Sequence, residues 1–132
     1  MDVIDLKIKK ILITGGAGFL WKFIIKKLLA RGVLEKNIFT PSFADFDLRK
    51  WENCQKVSQG QDLIIHLAAK VGGIGFNQEK PGELFYDNII MGTQMMEAAF
   101  QTGVKKFVAI GTICAYPKFT PVPFKENDLW NG

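Results

Sequence analysis

The chain has 132 residues, enough for one compact domain and too few for two of ordinary size. Hydrophobic residues make up 48% of it and charged residues 23%, which is typical of a globular protein with ample core and excludes a disordered chain. The net charge of +4 comes from scattered lysines without a dense basic run, so the sequence gives no support for nucleic-acid binding. We expect residues 1–132 to form a single domain.

Cysteine and histidine are too sparse for a disulfide framework or a zinc site. Cys54 and Cys114 are far apart in the sequence, and His66 is the single histidine. We predict no metal site. Residues 1–10 carry acids and lack the apolar core of a signal peptide, and no apolar run approaches the roughly 18 residues of a membrane span. These features predict a reduced, cytoplasmic protein without membrane association.

The amino-terminal third predicts a strand, a glycine turn and a helix in direct succession. Apolar residues 10–14 run into Gly15 and Gly18, and apolar positions then recur at helical spacing over residues 19–31. Glycines at this spacing let the backbone approach a pyrophosphate, whose charge faces the amino end of the helix. The alternative is an ordinary strand-to-helix turn without a ligand.

Trp21 is the unusual residue of this turn. It occupies the third position of the pattern, where a glycine normally allows close packing of helix on strand. An indole there must displace the helix or turn toward the cofactor site. We predict that Trp21 weakens dinucleotide binding by blocking close approach.

Strands and helices alternate along the rest of the chain. Further strands are predicted at residues 37–40, 62–67 and 106–111, and helices at 47–60 and 81–101. Asp47 is the expected N-cap of the former helix. Residues 68–78 are predicted to form a glycine-rich loop at the carboxyl end of the third strand, where ligands bind in open parallel sheets.

This βαβαβαβ order predicts an α/β fold, the amino-terminal part of a Rossmann-like doubly wound parallel sheet. With right-handed crossovers we expect the strand order 3-2-1-4. The fourth strand would then be an edge with apolar faces, which predicts that the chain is a fragment of a longer enzyme.

Three stretches together resemble the extended short-chain dehydrogenase/reductases. They are the glycine turn, residues 66–74 (HLAAKVGGI) and residues 111–117 (GTICAYP), with Asn88 on the helix between the last two. Within this superfamily the chain is most similar to the amino-terminal part of the GDP-L-fucose synthase family, which epimerises and reduces GDP-4-keto-6-deoxymannose. The glycine turn alone is weakly specific, and the two later stretches are more so.

The resemblance implies the roles of individual residues. Thr112 is matched to the hydroxyl that hydrogen-bonds the C4 oxygen of the sugar, and Cys114 to the acid/base of epimerisation, a task that suits a thiol with a tunable pKa. A small buried hydrophobe is the alternative for Cys114. The cofactor-binding residues that the resemblance implies are Gly15, Gly16, Ala17, Gly18, Phe19, Leu20, Trp21, Asp47, Leu48, Leu67, Ala68, Ala69, Lys70, Asn88, Ile110, Gly111 and Thr112.

The resemblance also implies a cofactor, a substrate and a partner. It favours NADP(H), a GDP-linked 4-keto-6-deoxyhexose as substrate, and a homodimer. Residues 41–43 after the second strand, however, contain neither an arginine for a 2′-phosphate nor an acid for ribose hydroxyls, so NAD(H) stays open.

Some of the family's catalytic groups have no counterpart in this sequence. These are the Tyr-x-x-x-Lys pair and a histidine, and His66 is predicted to be a packed core residue without a chemical role. We therefore expect no reductase turnover from this chain alone. Another nucleotide-sugar epimerase or dehydratase, or a catalytically inactive dinucleotide-binding module, are the alternative functions.

Overall fold

The computed structural model describes residues 4–131, which form a four-stranded parallel sheet with helices on both faces. The strands are β1 (Ile11–Ile13), β2 (Ile38–Phe39), β3 (Leu63–His66) and β4 (Lys106–Ala109). The predicted α/β, Rossmann-like fold is confirmed. The first three strands are one residue shorter at each end than predicted, and β4 begins at Lys106 as predicted and ends two residues earlier.

Four helices accompany the sheet. They are α1 (Phe19–Ala30), α2 (Trp51–Ser58), α3 (Ile74–Glu79) and α4 (Pro81–Gln101). Both predicted ends of α4 are confirmed, because Pro81 fits the first turn, where no backbone donor is required, and Gly103 has a left-handed φ of 77° just past the end. No described helix is long and apolar enough to cross a membrane.

The sheet divides the core into two layers. On one face Ile11 and Ile13 of β1 pack with Leu28 of α1. On the other face Leu12 and Ile64 pack against α2 and α4, where Met95 is fully buried. All three residues of β1 have no exposed surface, as expected for a central strand covered by helices on both faces.

The predicted strand order of 3-2-1-4 is wrong. The observed order is β2-β1-β3-β4, with Ile11 of β1 paired to Ile38 on one side and to Leu63 on the other. The physical reason is that β2 has only two residues, of which Phe39 is exposed, and Pro41 lies two residues after its end. Such a strand suits an edge and not the interior position that the prediction gave it.

Two predicted segments also differ locally. The second helix begins at Trp51 and not after Asp47, because the Lys50 amide closes a turn onto the Asp47 carbonyl at 3.1 Å. Residues 74–78, predicted as part of a loop, belong to α3, and the Phe76 ring lies directly against Gly72, which has no side chain to obstruct it. The glycine-rich sequence indicated a loop and gave no sign of this short helix. A helix of this length depends on tertiary contacts for its stability.

Candidate functional site

The glycine turn between β1 and α1 packs closely against the chain that leaves β3. Gly15 has a φ of 77°, and a Cβ added there would lie 2.9 Å from the carbonyl carbon of Leu67. This close approach to the β3 chain requires glycine. Gly16 lies directly beneath the Thr40 side chain, which a Cβ would overlap. The turn is thus closely packed between the residues that follow β2 and those that follow β3.

Thr14 fixes the chain that leaves β3. Its side chain is fully buried at the end of β1, and its Oγ1 accepts the backbone N–H groups of Leu67 at 3.1 Å and Ala68 at 3.0 Å. Residues 67 and 68 therefore leave the sheet in a defined direction, beside the glycine turn.

A cavity of about 950 Å³ opens at this end of the sheet. β1 lies between β2 and β3. From β1 the chain crosses through α1 to β2 on one side, and from β2 it crosses through α2 to β3 on the other side. β1 therefore marks the topological switch point, where open α/β sheets bind ligands. The predicted cofactor residues that line the cavity are Gly15, Gly16, Ala17, Gly18, Phe19, Leu20, Trp21, Leu48, Leu67, Ala68, Ala69, Lys70 and Ile110.

Several lining residues were not predicted from the sequence. They are Thr40, Pro41, Ser42, Phe43, Phe46, Arg49, Val71, Asp87 and Met91. Most belong to the connection after β2, where the sequence showed no periodic pattern to fix the direction of the chain. Asp87 carried a usable signal, because it is a charged residue in the mostly apolar segment of residues 84–91, and such a residue often marks a site.

Trp21 borders the cavity. Its indole Nε1 donates to Thr40 Oγ1 at 3.1 Å, and its ring also packs against the core layer under α1. Of the two positions that the sequence allowed, the structure adopts the one that borders the cavity.

A chain of ion pairs borders the cavity on the side of α4. Asp87, 5% exposed, accepts from Arg49 Nη1 at 3.3 Å and from Lys70 Nζ at 2.8 Å, both on Oδ2. Arg49 also makes a bidentate interaction with the Asp47 carboxylate, in which Nε lies 2.9 Å from Oδ1 and Nη2 lies 2.8 Å from Oδ2. Lys70 pairs in addition with Glu83. These ion pairs connect the segment before α2 and the loop after β3 to α4.

These ion pairs shift the pKa values of the residues that form them. Hydrogen bonding to Lys70 lowers the pKa of Asp87, and hydrogen bonding to Arg49 lowers the pKa of Asp47. The Lys70 bond likewise lowers the pKa of Glu83, while the two carboxylates raise the pKa of Lys70. All five groups are thus charged at neutral pH.

Asn88 holds the backbone of Lys70 from α4. Its Oδ1 accepts the Lys70 N–H at 2.7 Å, and its Nδ2 donates to the Lys70 carbonyl at 2.8 Å. Asn88 does not itself line the cavity. The geometry makes it a residue that positions Lys70, so a direct contact with the cofactor stays a prediction.

The predicted catalytic residues lie beyond the end of β4. Thr112 and Cys114 are both exposed, and Thr112 Oγ1 accepts the Cys114 N–H at 3.2 Å as the cap of a short 3-10 turn, Ile113–Ala115. Neither these two residues nor Gly111 and Asp47 line the cavity, whereas Ile110 does. Thr112 and Cys114 thus follow Ile110, the last residue of this segment that lines the cavity, by two and four positions.

The two cysteines are in different environments, since Cys54 is buried and Cys114 is exposed. Cys54 is buried in the layer under α2 and α4, where its Sγ donates to the Leu48 carbonyl at 3.1 Å, and burial raises its pKa to about 11. Residues 4–131 contain no group of three or more His, Cys, Asp or Glu arranged to hold a metal ion.

Comparison with known families agrees with this geometry. The sequence profile of the NAD dependent epimerase/dehydratase family matches residues 11–131. The chain belongs to this family. The matched range begins with β1 and extends past Thr112 and Cys114, so it includes every element that borders the cavity.

The chain is similar to enzymes that act on GDP-linked sugars. It is 36% identical to GDP-mannose 3,5-epimerase of Arabidopsis thaliana, over 92% of this chain and 37% of the relative. It is 34% identical to GDP-L-fucose synthase 1 of the same plant, over 93% and 38%. The chain thus spans less than two fifths of the length of these relatives.

A solved structure of similar fold contains a bound cofactor. It is a GDP-L-fucose synthetase from Naegleria fowleri bound to NADP, with a TM-score of 0.76 and 26% sequence identity, matched over 96% of this chain and 37% of that one.

Proposed function

We propose that the chain is the dinucleotide-binding part of an epimerase/reductase that acts on a GDP-linked 4-keto sugar. The observation that carries the proposal is the cavity at the switch point, bordered by the glycine turn on one side and by residues 67–70 on the other. An open volume of about 950 Å³ beside the amino end of α1 suits an elongated ligand with a diphosphate.

In this proposal the chain's own residues bind and orient the dinucleotide. The backbone of the glycine turn faces the pyrophosphate, while Leu48 and the apolar side chains after β2 cover the adenine. Leu67 and Ala68, held by Thr14, support the nicotinamide end. When bound, the cofactor supplies hydride for reduction of a ketone.

Thr112 and Cys114 are proposed to act on the sugar. The Thr112 hydroxyl accepts the Cys114 N–H, which leaves its own proton free to donate to the C4 oxygen. The Cys114 thiolate would take a proton from a carbon next to that ketone, and the electron pair would move toward the C4 oxygen. The exposure of both side chains, shortly after Ile110 of the cavity wall, supports a role in contact with substrate.

Titration with NADH tests the dinucleotide part of the proposal. Gly18→Asp places a carboxylate where the pyrophosphate would lie, and we expect binding to be lost while the circular dichroism spectrum is retained. Gly82→Asp is the matched control, since Gly82 is exposed, has open space around it and does not line the cavity. Equal binding by both variants would contradict the proposal.

Deuterium exchange in D₂O tests the substrate part. With GDP-4-keto-6-deoxymannose we expect exchange at the carbons next to the ketone, lost in Cys114→Ser and kept in Cys54→Ser. Dinucleotide binding without deuterium exchange would contradict the proposed substrate, and the proposed dinucleotide-binding function would stand. A catalytically inactive dinucleotide-binding module would give that result.

A further inference from the structure

Asp87 is a buried carboxylate in the cavity wall, and the proposed function gives it no task. It lies on α4 in the stripe of buried residues that also contains Leu84, Met91 and Met95. These neighbours are apolar, yet Asp87 is only 5% exposed. A buried charge costs free energy unless cations compensate it. Its ion-pair partners therefore indicate what Asp87 holds in place.

One oxygen of Asp87 connects two walls of the cavity. Oδ2 accepts from Arg49 Nη1 at 3.3 Å and from Lys70 Nζ at 2.8 Å. Arg49 lies in the segment between β2 and α2, Lys70 lies in the loop after β3, and both residues line the cavity. Among residues 4–131, Asp87 is the one carboxylate that pairs with both cations. The two walls are therefore joined through α4.

Arg49 extends this constraint to an aromatic side chain of the cavity wall. Its guanidinium carbon lies 5.6 Å from the centre of the Phe43 ring, an attractive cation–π arrangement. Phe43 lines the cavity and is 69% exposed, so most of its surface has no protein contact. The position of the ring therefore depends on Arg49 and, through Arg49, on Asp87.

Lys70 is held on the other wall by two successive residues of α4. Asp87 binds its side chain, and Asn88 binds its backbone N–H at 2.7 Å and its backbone carbonyl at 2.8 Å. Through Lys70, α4 fixes the loop that follows Leu67 and Ala68, which the proposed function assigns to the nicotinamide end.

The shared oxygen also keeps two like charges close together. Because both nitrogens bind Oδ2, they lie within about 6 Å of each other and would repel without the carboxylate between them. The second partner of Arg49 is Asp47, and that of Lys70 is the exposed Glu83. Without the Asp87 charge, each cation keeps a partner of its own, and no described ion pair joins the two walls.

We infer that Asp87 is a positioning residue of the proposed dinucleotide site, whose carboxylate holds Arg49, with the Phe43 ring, and Lys70 at the separation that the ligand requires. The inference rests on the proposed function. In this role Asp87 acts through the two cations, so the walls that it joins determine the affinity for the ligand.

The direction of the effect of Asp87→Asn on NADH binding tests this role. Asparagine retains the size of the side chain and removes its charge. A charge that acted directly on the anionic NADH would repel it, so its removal would strengthen binding. We expect instead that NADH binds about tenfold more weakly, because charge-assisted hydrogen bonds are lost. Glu97→Gln, at an exposed position of α4 outside the cavity, is the matched control and should leave the affinity unchanged.

A chain without the two cations separates positioning from a general structural role. In Arg49→Met combined with Lys70→Met, the added substitution Asp87→Asn should cause no further loss of NADH affinity. A further loss as large as in the original chain would overturn the inference, since Asp87 would then act without the cations. If Asp87→Asn alone does not fold, as judged by circular dichroism, the double variant carries the test. NADH affinity equal to that of the original chain would then overturn the inference.

The outcomes distinguish this inference from the proposed function. NADH binding by the 132-residue chain that Asp87→Asn leaves unchanged or makes tighter would overturn the role of Asp87, while dinucleotide binding stands. Failure of the folded chain to bind NADH would contradict the proposed function, and the role of Asp87 with it.

Discussion

The Oγ1 atom of Thr14 lies 2.9 Å from Nδ1 of His66, so the end of β1 is tied to the end of β3 by a side-chain hydrogen bond. Because Thr14 Oγ1 already accepts two backbone N–H groups, its own proton must be donated to Nδ1. The imidazole is therefore neutral, with its proton on Nε2. His66 is a packed, hydrogen-bonded residue, as the sequence predicted.

Thr14→Val should destabilise the protein strongly. Valine has nearly the same shape but leaves the N–H groups of Leu67 and Ala68 without their acceptor at a part-buried place. We expect the free energy of unfolding to fall by about 2 to 4 kcal/mol in urea titrations. Thr93→Val, on the exposed face of α4, is the control and should change it by less than about 0.5 kcal/mol. Equal losses would show that the Thr14 bonds contribute little.

His66 should make stability depend on pH in the mildly acidic range. Burial lowers its pKa in the folded protein below the ordinary value of 6.5. The unfolded chain therefore binds a proton first as the pH falls, and stability is lost from about pH 6.5 downward to the folded pKa. Urea titrations between about pH 7 and 5 measure this slope, which His66→Gln should reduce. A slope unchanged by the substitution would assign it to other groups.

Trp21→Gly tests whether the indole limits cofactor binding. The substitution restores the small residue of the glycine pattern and removes the indole that donates to Thr40. We expect tighter NADPH and NADH binding, together with a free energy of unfolding lower by about 2 to 4 kcal/mol. Titration well below the unfolding midpoint separates the two effects. No gain in affinity for the folded variant would contradict the blocking role.

Asn88→Ala should loosen the loop after β3 without removing a cavity wall. Lys70 would lose both hydrogen bonds to its backbone, so its amide should exchange with solvent faster and NADH should bind about tenfold more weakly. Asn127→Ala, at an exposed site in the 3-10 turn Glu126–Trp130, is the control. Weaker binding without faster exchange would favour a direct contact between Asn88 and the cofactor.

The loop after β2 shows why part of the site escaped prediction. Residues 41–43 contain no charged side chain. The structure nevertheless brings Asp45 to Ser42, whose Oγ donates to the Asp45 carboxylate at 2.6 Å in a segment without periodicity. Ion pairs such as Arg49 with Asp87 join residues 38 positions apart, and local patterns do not encode them.

The sequence by itself determined the strand, glycine turn and helix at the amino end, the bounds of α4 and the fold class. These follow from local causes: apolar periodicity, a φ that only glycine adopts easily, and a proline that fits a first helical turn. The tertiary structure decided the strand order, the direction of Trp21 and the charges that border the cavity. Those depend on which strand can tolerate an exposed edge and on contacts between distant segments, and the packing of the whole domain selects among them.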